Sequence, residues 1–251
     1  IYDMVFNSLQ SDWADADLGE VLQKYPQVIY FSGHVHNVLQ DEMQISQNGS
    51  FTALDCGSVK YSATMNTIND GGSTFDNSVG TRIEDFSQGL LVQVDGSGNV
   101  RVTRCDYYRR SPIKDAWELS YPKADKSHLS AYDNATRQRE NAAPSFSENA
   151  SLTVQSTRSG LSFTWTAASD DDMVRYYKLY VYTVAEDGTR TRGKTYNLAT
   201  FTYRYDRVED MPGEMTFSTA ALPSGEYYFE VCPVDVWGAV GGTISATLTV
   251  A

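Results

Sequence analysis

SDWADADLGEVLQKYPQVIYFSGHVHN, residues 11 to 37, is the stretch on which the reading of the fold turns. Its first part reads as a helix. Asp15 or Asp17 can cap the start, Leu18, Val21 and Leu22 share one face, and Pro26 ends it, because proline lacks an amide hydrogen and clashes with the preceding turn. VIYFSG, Val28 to Gly33, follows as a continuous apolar run closed by a turn residue, the pattern of a strand buried on both faces. A helix leading directly into a buried strand predicts α/β layering for this part of the chain. The strand runs into Gly33-His34-Val35-His36-Asn37, and ligands favour the carboxyl ends of strands in α/β sheets. Gly33 lets the backbone turn, and an extended His-x-His places both imidazoles on one side, where neutral nitrogens can bind borderline divalent metals. Without further context the same pair reads as two unrelated histidines with structural or surface roles.

Beyond Asn37 the pattern turns to β. MQISQNGSFTALDCGS places Asn48-Gly49 between two alternating runs, and GLLVQVDGSGNVRVTRCDYY has a glycine-rich turn between two more, so both read as hairpins. Residues 123–147 are polar and without sustained period, with Pro122 before them and Pro144 near their end, and read as a linker. From about Phe146 strands recur at short spacing: SLTVQS, GLSFTWTA, YYKLYVYTV, TYNLATFTYRYD, EMTFSTA, EYYFEVCPVD and GTISATLTV. Seven strands in roughly a hundred residues are the signature of a β-sandwich.

A chain of 251 residues is long for one core and comfortable for two domains. With 41% hydrophobic and 21% charged residues it can bury a sizeable core. The formal charge of -12 argues against nucleic acid or an anionic membrane as partner, since a polyanion would repel this surface. No apolar run approaches the length of a membrane span, and the first residues lack the basic start and apolar run of a signal peptide. Cys56, Cys105 and Cys232 form no C-x-x-C pair. A Cys56–Cys105 disulfide is one reading and buried free thiols the preferred one.

The residues 11–37 resemble the helix, strand and closing G-H-x-H motif of bacterial secreted calcineurin-like metallophosphoesterases. GLLVQVDGSGNVRVTRCDYY, with IKDAW after it, resembles the strands that follow in that family, and the likeness covers roughly Ile1 to Tyr121. The resemblance implies a centre of two divalent metal ions (Mn, Fe or Zn) at which a metal-held hydroxide attacks a phosphate mono- or diester in line. His34 and His36 would each be a metal ligand, Gly33 the turn that presents them, and Asn37 a neighbour without an assigned role. The family's D-x-H, G-D-x-x-D and G-N-H-[DE] motifs and its further histidine, all preceding G-H-x-H, do not occur here. The remaining histidine, His128, falls in the linker and reads as a solvated surface residue.

Two histidines fall short of the donor set such a centre needs. The expectation is therefore an upstream portion in a longer parent, with this chain holding the last metal-ligand motif. Alone it would be inactive and would not bind the metals stoichiometrically. Its sheet would lack a packing partner, supplied by the missing N-terminal half, by a second copy in a homo-oligomer or by the sandwich.

The last seven strands resemble fibronectin type III. Trp165 sits where that fold keeps its second-strand tryptophan, Tyr177 resembles its third-strand tyrosine, and LPSGEYYFEVCPVDVWG resembles the run around its tyrosine corner, with Tyr227 at the corner and Phe229 and Val231 inward. Alternation points Tyr177, Leu179 and Val181 inward and Tyr176, Tyr180 and Tyr182 outward, with Tyr228 beside them. That row reads as cross-strand aromatic pairing in preference to a sugar-stacking or docking face. Asp170, Asp171 and Asp172 read as a solvated loop in preference to a Ca²⁺ site. Arg109, Arg110 and Lys114 read as exposed cations, with a phosphate contact as the alternative.

The expected fold class is α+β, mostly β: a partial αββα-type metallophosphoesterase layer over residues 1–122, a linker over 123–145 and a fibronectin type III-like β-sandwich over 146–251. The expected function is the C-terminal part of a secreted or surface-bound, extracytoplasmic phosphoesterase. The alternative is a non-enzymatic surface-interaction or glycan-binding protein on a degenerate phosphoesterase scaffold.

Overall fold

The computed structural model describes residues 16–33, 36–47, 50–60, 62–63, 82–83, 87–120, 126–200 and 211–251. It is mostly β, and the described residues fall into two compact units, one ending at Asn141 and the other beginning at Ala142.

In the first unit helix α1, Ala16–Leu22, tightens at its end through Lys24 N–H to Val21 and Tyr25 N–H to Leu22, and stops before Pro26. Strand β1, Ile29–Ser32, then pairs in parallel with β3, Thr52–Asp55, in the register Ile29↔Thr52 to Ser32↔Asp55. The short β2, Ile45–Ser46, lies antiparallel on the other side of β3, giving the order β1-β3-β2. β3 is buried throughout. β1 is not buried on both faces as its composition predicts: among the described residues it is the edge of its sheet, and Phe31 is 41% exposed. The apolar face of α1 is likewise open, with Leu18 36% and Val21 48% exposed.

Ser62–Ala63 (β4) and Arg82–Ile83 (β5) form a small antiparallel pair. β6, Gln88–Val94, and β7, Val100–Asp106, form the expected hairpin in unbroken register. Its turn is locked by the Asp95 carboxylate, which accepts from Ser97 N–H at 2.8 Å, Asn99 N–H at 2.9 Å and the Asn99 amide at 2.9 Å, while Gly98 takes φ 87°. β8, Ser111–Pro112, and β9, Trp117–Leu119, both pair with β7. Leu39, Ile45, Leu54, Val100, Val102, Trp117 and Leu119 make the apolar core of this unit.

Residues 126–141 are no free connector. Asp133 caps a second helix, α2, Asn134–Glu140, by accepting from Thr136 N–H at 2.8 Å. From α2, Arg137 donates to the carbonyls of Glu42 at 2.9 Å and Ile45 at 2.6 Å. His128, expected in solvent, is half-buried with Nε2 2.8 Å from the Pro26 carbonyl, which can only accept, so Nε2 carries the proton.

The second unit is a sandwich of two antiparallel sheets. One has the order β10-β11-β14, from Leu152–Thr157 (β10), Gly160–Thr166 (β11) and Glu214–Ala220 (β14). The other has the order β13-β12-β15-β16, from Val174–Val184 (β12), Arg190–Ala199 (β13), Gly225–Asp235 (β15) and Ile244–Val250 (β16). Inward residues of both sheets share one core. Trp165 meets Tyr177 edge to face at 5.3 Å, and Phe163 meets Phe229 likewise at 5.2 Å. The Tyr227 hydroxyl donates to the Pro223 carbonyl at 3.0 Å, tying the start of β15 back over the turn before it. β13 begins at Arg190, earlier than the alternation near Tyr196 indicates, because Asp187-Gly188 makes a hairpin turn whose outgoing strand is exposed on both faces.

The core and the corner differ in what their removal costs. Trp165→Ala leaves a large cavity and is expected to lower stability by about 3–5 kcal/mol. Tyr227→Phe loses one hydrogen bond and is expected to cost about 1 kcal/mol. Urea unfolding of both variants, followed by tryptophan fluorescence and far-UV circular dichroism, checks the ordering, and an equal or reversed ordering contradicts this account of the sandwich.

Candidate metal centre

The histidine motif leaves β1 at its carboxyl end, beside the carboxyl end of β3, where Cys56 N–H closes the parallel pair by donating to the Ser32 carbonyl at 2.8 Å. His34 lies outside the described residues. His36 is half-buried with φ 54°, in the left-handed region that a non-glycine residue occupies only at some cost. The extended backbone expected through the motif therefore does not hold at His36. Gly33 has neither a left-handed φ nor a neighbour that a Cβ would strike. The positive φ falls on the histidine instead.

The chain after His36 is held by buried polar groups, not by apolar packing alone. The Asn37 amide donates to Gln44 Oε1 at 3.0 Å. Leu39 N–H donates to Gln88 Oε1 at 2.8 Å, and Gln88 Nε2 donates to Gln40 Oε1 at 3.2 Å. Asp41 caps the 3-10 turn Glu42–Gln44 by accepting from Met43 N–H at 2.8 Å. At the far end Gln47 accepts from Tyr132 N–H at 2.9 Å and donates from Nε2 to Thr52 Oγ1 at 3.0 Å.

The centre of this network is Arg104 on β7, 2% exposed. Its guanidinium donates to Glu42 Oε1 at 2.6 Å, to the Leu39 carbonyl at 3.2 Å and to the Asp115 carbonyl at 2.6 Å, and lies over the Trp117 ring at 4.5 Å. Trp117 Nε1 donates to the other Glu42 oxygen at 2.9 Å. Burial alone would raise the Glu42 pKa, but the Arg104 charge, the hydrogen bonds from Trp117 and Arg104, and Lys114 outweigh it and hold the carboxyl below its ordinary value.

Asp55, at the carboxyl end of β3, is opposite in character. It is fully buried, its Oδ1 accepts from Gly57 N–H at 3.2 Å, and its Oδ2 has no hydrogen-bond partner. Burial, with Asp41 nearby, pushes its carboxyl up to about 7 against the backbone N–H groups of Gly57 and Cys56. Asp55 lies at the carboxyl end of β3, beside the strand end from which the histidine motif leaves, and the sequence reading did not single it out. Its signal was Asp55 closing the apolar run of LDCGS.

Several of the other singled-out residues have structural partners, while Arg110 is exposed as expected. Arg109 pairs with Asp106 at 3.8 Å and its N–H donates to the same carboxylate at 3.0 Å, and Lys114 stands 3.7 Å from Glu42. Asp170 accepts from the amides of Asp172 and Met173 at 2.9 and 2.7 Å, and Asp172 accepts from the Trp237 indole at 3.1 Å, so the acidic run builds a turn. Burial, with Asp235 and Asp171, raises the Asp170 carboxyl. The tyrosine row pairs across strands: Tyr182 and Tyr228 lie 5.8 Å apart, Tyr182 donates to Glu230 at 2.8 Å, and arginines cover Tyr180 and Tyr228. Tyr176, expected outward and exposed, is buried at 3%. Cys56, Cys105 and Cys232 are free thiols. Among the described residues no group of three or more His, Cys, Asp or Glu side chains could hold a metal ion, and no helix is long and apolar enough to cross a membrane.

No family model and no curated protein matches the chain. Among solved structures it is similar to the PKD domain of an M14-like peptidase from a Thermoplasmatales archaeon, 14% identical over 43% of this chain and 96% of that one, TM-score 0.25. It is also similar to a pectate lyase of Erwinia chrysanthemi in complex with tetragalacturonic acid, 13% identical over 39% of this chain and 28% of the lyase, TM-score 0.24. A pectate lyase of Pectobacterium carotovorum is 17% identical over 41% of this chain and 27% of the enzyme, TM-score 0.24. The chain thus spans little more than a quarter of either lyase, and similarity this distant assigns it neither ligand nor activity.

Two expectations follow. Because the folded-state pKa of Asp55 is raised, its contribution is fully favourable below its unfolded pKa and is lost as pH rises through about 7. Asp55→Asn should therefore gain stability over the native chain between pH 5 and pH 8, on the order of 1–3 kcal/mol. Melting curves at the two pH values check it, and parallel curves would show that Asp55 does not titrate there. Arg104→Ala leaves the buried Glu42 carboxylate without its main partner and should cost about 3–5 kcal/mol, much of it recovered by adding Glu42→Gln. Additivity of the two changes would show that the pair is not coupled.

Proposed function

We propose that the chain is the C-terminal part of a metal-dependent phosphoesterase of the calcineurin-like type, acting on phosphate mono- or diesters and secreted or surface-bound, with a fibronectin type III-like accessory sandwich. The observation that carries this reading is the G-H-x-H motif leaving the carboxyl end of a strand that is paired in parallel, with a helix immediately before it. The sandwich supports its part of the reading through Trp165 and Tyr177 in contact in the core and the Tyr227 hydroxyl bonded to Pro223.

A pair of divalent metals would supply the nucleophilic hydroxide and the charge stabilisation of such a reaction. The donors present do not fit a complete pair. His34 and His36 are the histidines of the motif, and the described residues add no third donor grouped with His36. No step is therefore assigned to a metal on this chain, and His34 and His36 stand as two ligands of a centre completed by residues upstream. What this chain contributes is placement: the Arg104, Gln88 and Gln47 bonds fix the segment that follows the motif.

The test compares this chain with the longer protein from the same reading frame. Elemental analysis and hydrolysis of an aryl phosphate in Mn²⁺ or Zn²⁺ are expected to show about two metals and turnover in the longer protein. His34→Ala and His36→Ala should each lower both, while this chain alone shows neither. A longer reading frame without D-x-H, G-D-x-x-D and G-N-H, or turnover indifferent to both substitutions, would overturn the proposal in favour of a non-enzymatic interaction protein.

A further inference from the structure

Among the described residues β6 is the edge of its sheet, paired on one side with β7. Residues 91–94 are exposed without interruption, with Leu91 at 51%, Val92 at 40% and Val94 at 67%. From Gln88 to Val94 the strand has no charge and no proline, and its register with β7 is unbroken. Natural sheets guard an open edge with a charge, a proline or a bulge, so an unguarded apolar edge points to a partner strand.

Hydrogen bonds at the two ends of β6 fix which backbone groups are open. The Ser87 carbonyl accepts from Tyr107 N–H on the β7 side, Gln88 N–H donates to the Ser58 carbonyl on the opposite side, and Asp95 N–H donates across the hairpin to the Asn99 carbonyl. Successive residues of an antiparallel strand direct their N–H and C=O groups to opposite sides, so those of Leu90, Val92 and Val94 point away from β7. Among the described residues these groups have no hydrogen-bond partner. Ser58 closes the edge at one end and the Asp95 turn at the other, which leaves residues 90–94 open.

This open stretch is complementary to itself. Laid antiparallel about a two-fold axis at Val92, Val92 meets the copy's Val92 in a hydrogen-bonded pair, and Leu90 meets the copy's Val94 in the same way on either side. Every open donor and acceptor of both strands is then used. By register Val92 and Val94 share a face with Val102 and Val100, two buried core residues, so pairing covers them with apolar neighbours and continues that face across the axis. On the other face Leu91 meets the copy's Gln93, and Asp95 meets Gly89, so no like charges are opposed. In a chain of formal charge -12, whose surface otherwise repels a copy, that absence of charge is what admits one. We propose that β6 is a self-pairing edge through which two copies of the chain join, antiparallel about Val92, into one sheet continuous across the axis. This inference is independent of the phosphoesterase reading.

So short an edge makes an interface at the small, transient end of the size range, with dissociation expected at roughly 10–100 µM. The test is sedimentation velocity of the whole chain between about 5 and 300 µM, with melting curves to show that each variant is folded. The native chain should pass from monomer to dimer across that range. Val92→Pro removes one outward N–H without touching the β7 ladder and should weaken dimerisation by about tenfold or more. Val92→Lys and Val92→Glu each oppose two like charges on the axis and should be monomeric alone, whereas an equimolar mixture of the two should dimerise again. A native chain that is monomeric at about 300 µM overturns the proposal. Dimerisation unchanged in a folded Val92→Pro or Val92→Lys variant also overturns it, because another surface then joins the copies. So does a mixture of the two charged variants that stays monomeric, because Val92 then does not face its own copy.

Discussion

Arg104 cannot be buried without partners, and the partners it takes organise the N-terminal unit. A guanidinium at 2% exposure loses its hydration, and an unpaired charge there would cost several kcal/mol. Glu42 supplies the counter-charge, the Leu39 and Asp115 carbonyls take further N–H groups, and Trp117 covers the flat face. These residues come from the segment after the histidine motif, from β7, and from the approach to β9. Satisfying one arginine therefore fixes the order in which those pieces pack. Arg137 repeats the device on a smaller scale, joining α2 to the Glu42 and Ile45 carbonyls.

The two units thus hold together by different means. The sandwich has a continuous apolar core in which aromatic rings from both sheets meet, so its stability comes chiefly from burial of nonpolar surface. Among the described residues the N-terminal unit joins an apolar cluster to a large buried polar set that includes Gln40, Asp41, Gln44, Gln47, Asp55, Gln88, Arg104 and Asp106. Such networks give specific geometry at modest net stability, because each bond formed replaces one to water. Asp55 Oδ2 and Arg104 Nε are buried without a hydrogen-bond partner, and burial pushes the Asp55 carboxyl up to about 7.

What the sequence made legible follows from the same division. Alternation reports burial on one face, so the strands of the sandwich and the inward placement of Tyr177, Leu179 and Val181 could be read directly, while Trp165, Phe229 and Val231 were placed by resemblance. Elements without that signal could not. The first half of β13 is exposed on both faces, and α2 is short and polar, so neither shows a hydrophobic period. The apolar run of β1 reads as a central strand because composition says nothing of how many neighbours a strand has. The histidine pair was visible through its spacing, whereas Arg104 and Glu42 are 62 positions apart and meet only in the fold. Asp55 looked like the end of a strand, and only its depth makes it unusual.

The N-terminal unit leaves several apolar residues exposed. Leu18 and Val21 on α1 and Phe31 on β1 are open, and on the uncharged β6 so are Leu91 at 51%, Val92 at 40% and Val94 at 67%. At about 25 cal/mol per Å² of nonpolar surface, covering one such side chain is worth on the order of 1–3 kcal/mol. Helix and strand are thus composed for burial yet carry exposed apolar side chains. β6 contrasts with β13 in this respect: its exposed half has neither charge, proline nor bulge to discourage pairing, while β13 carries both charge and bulge.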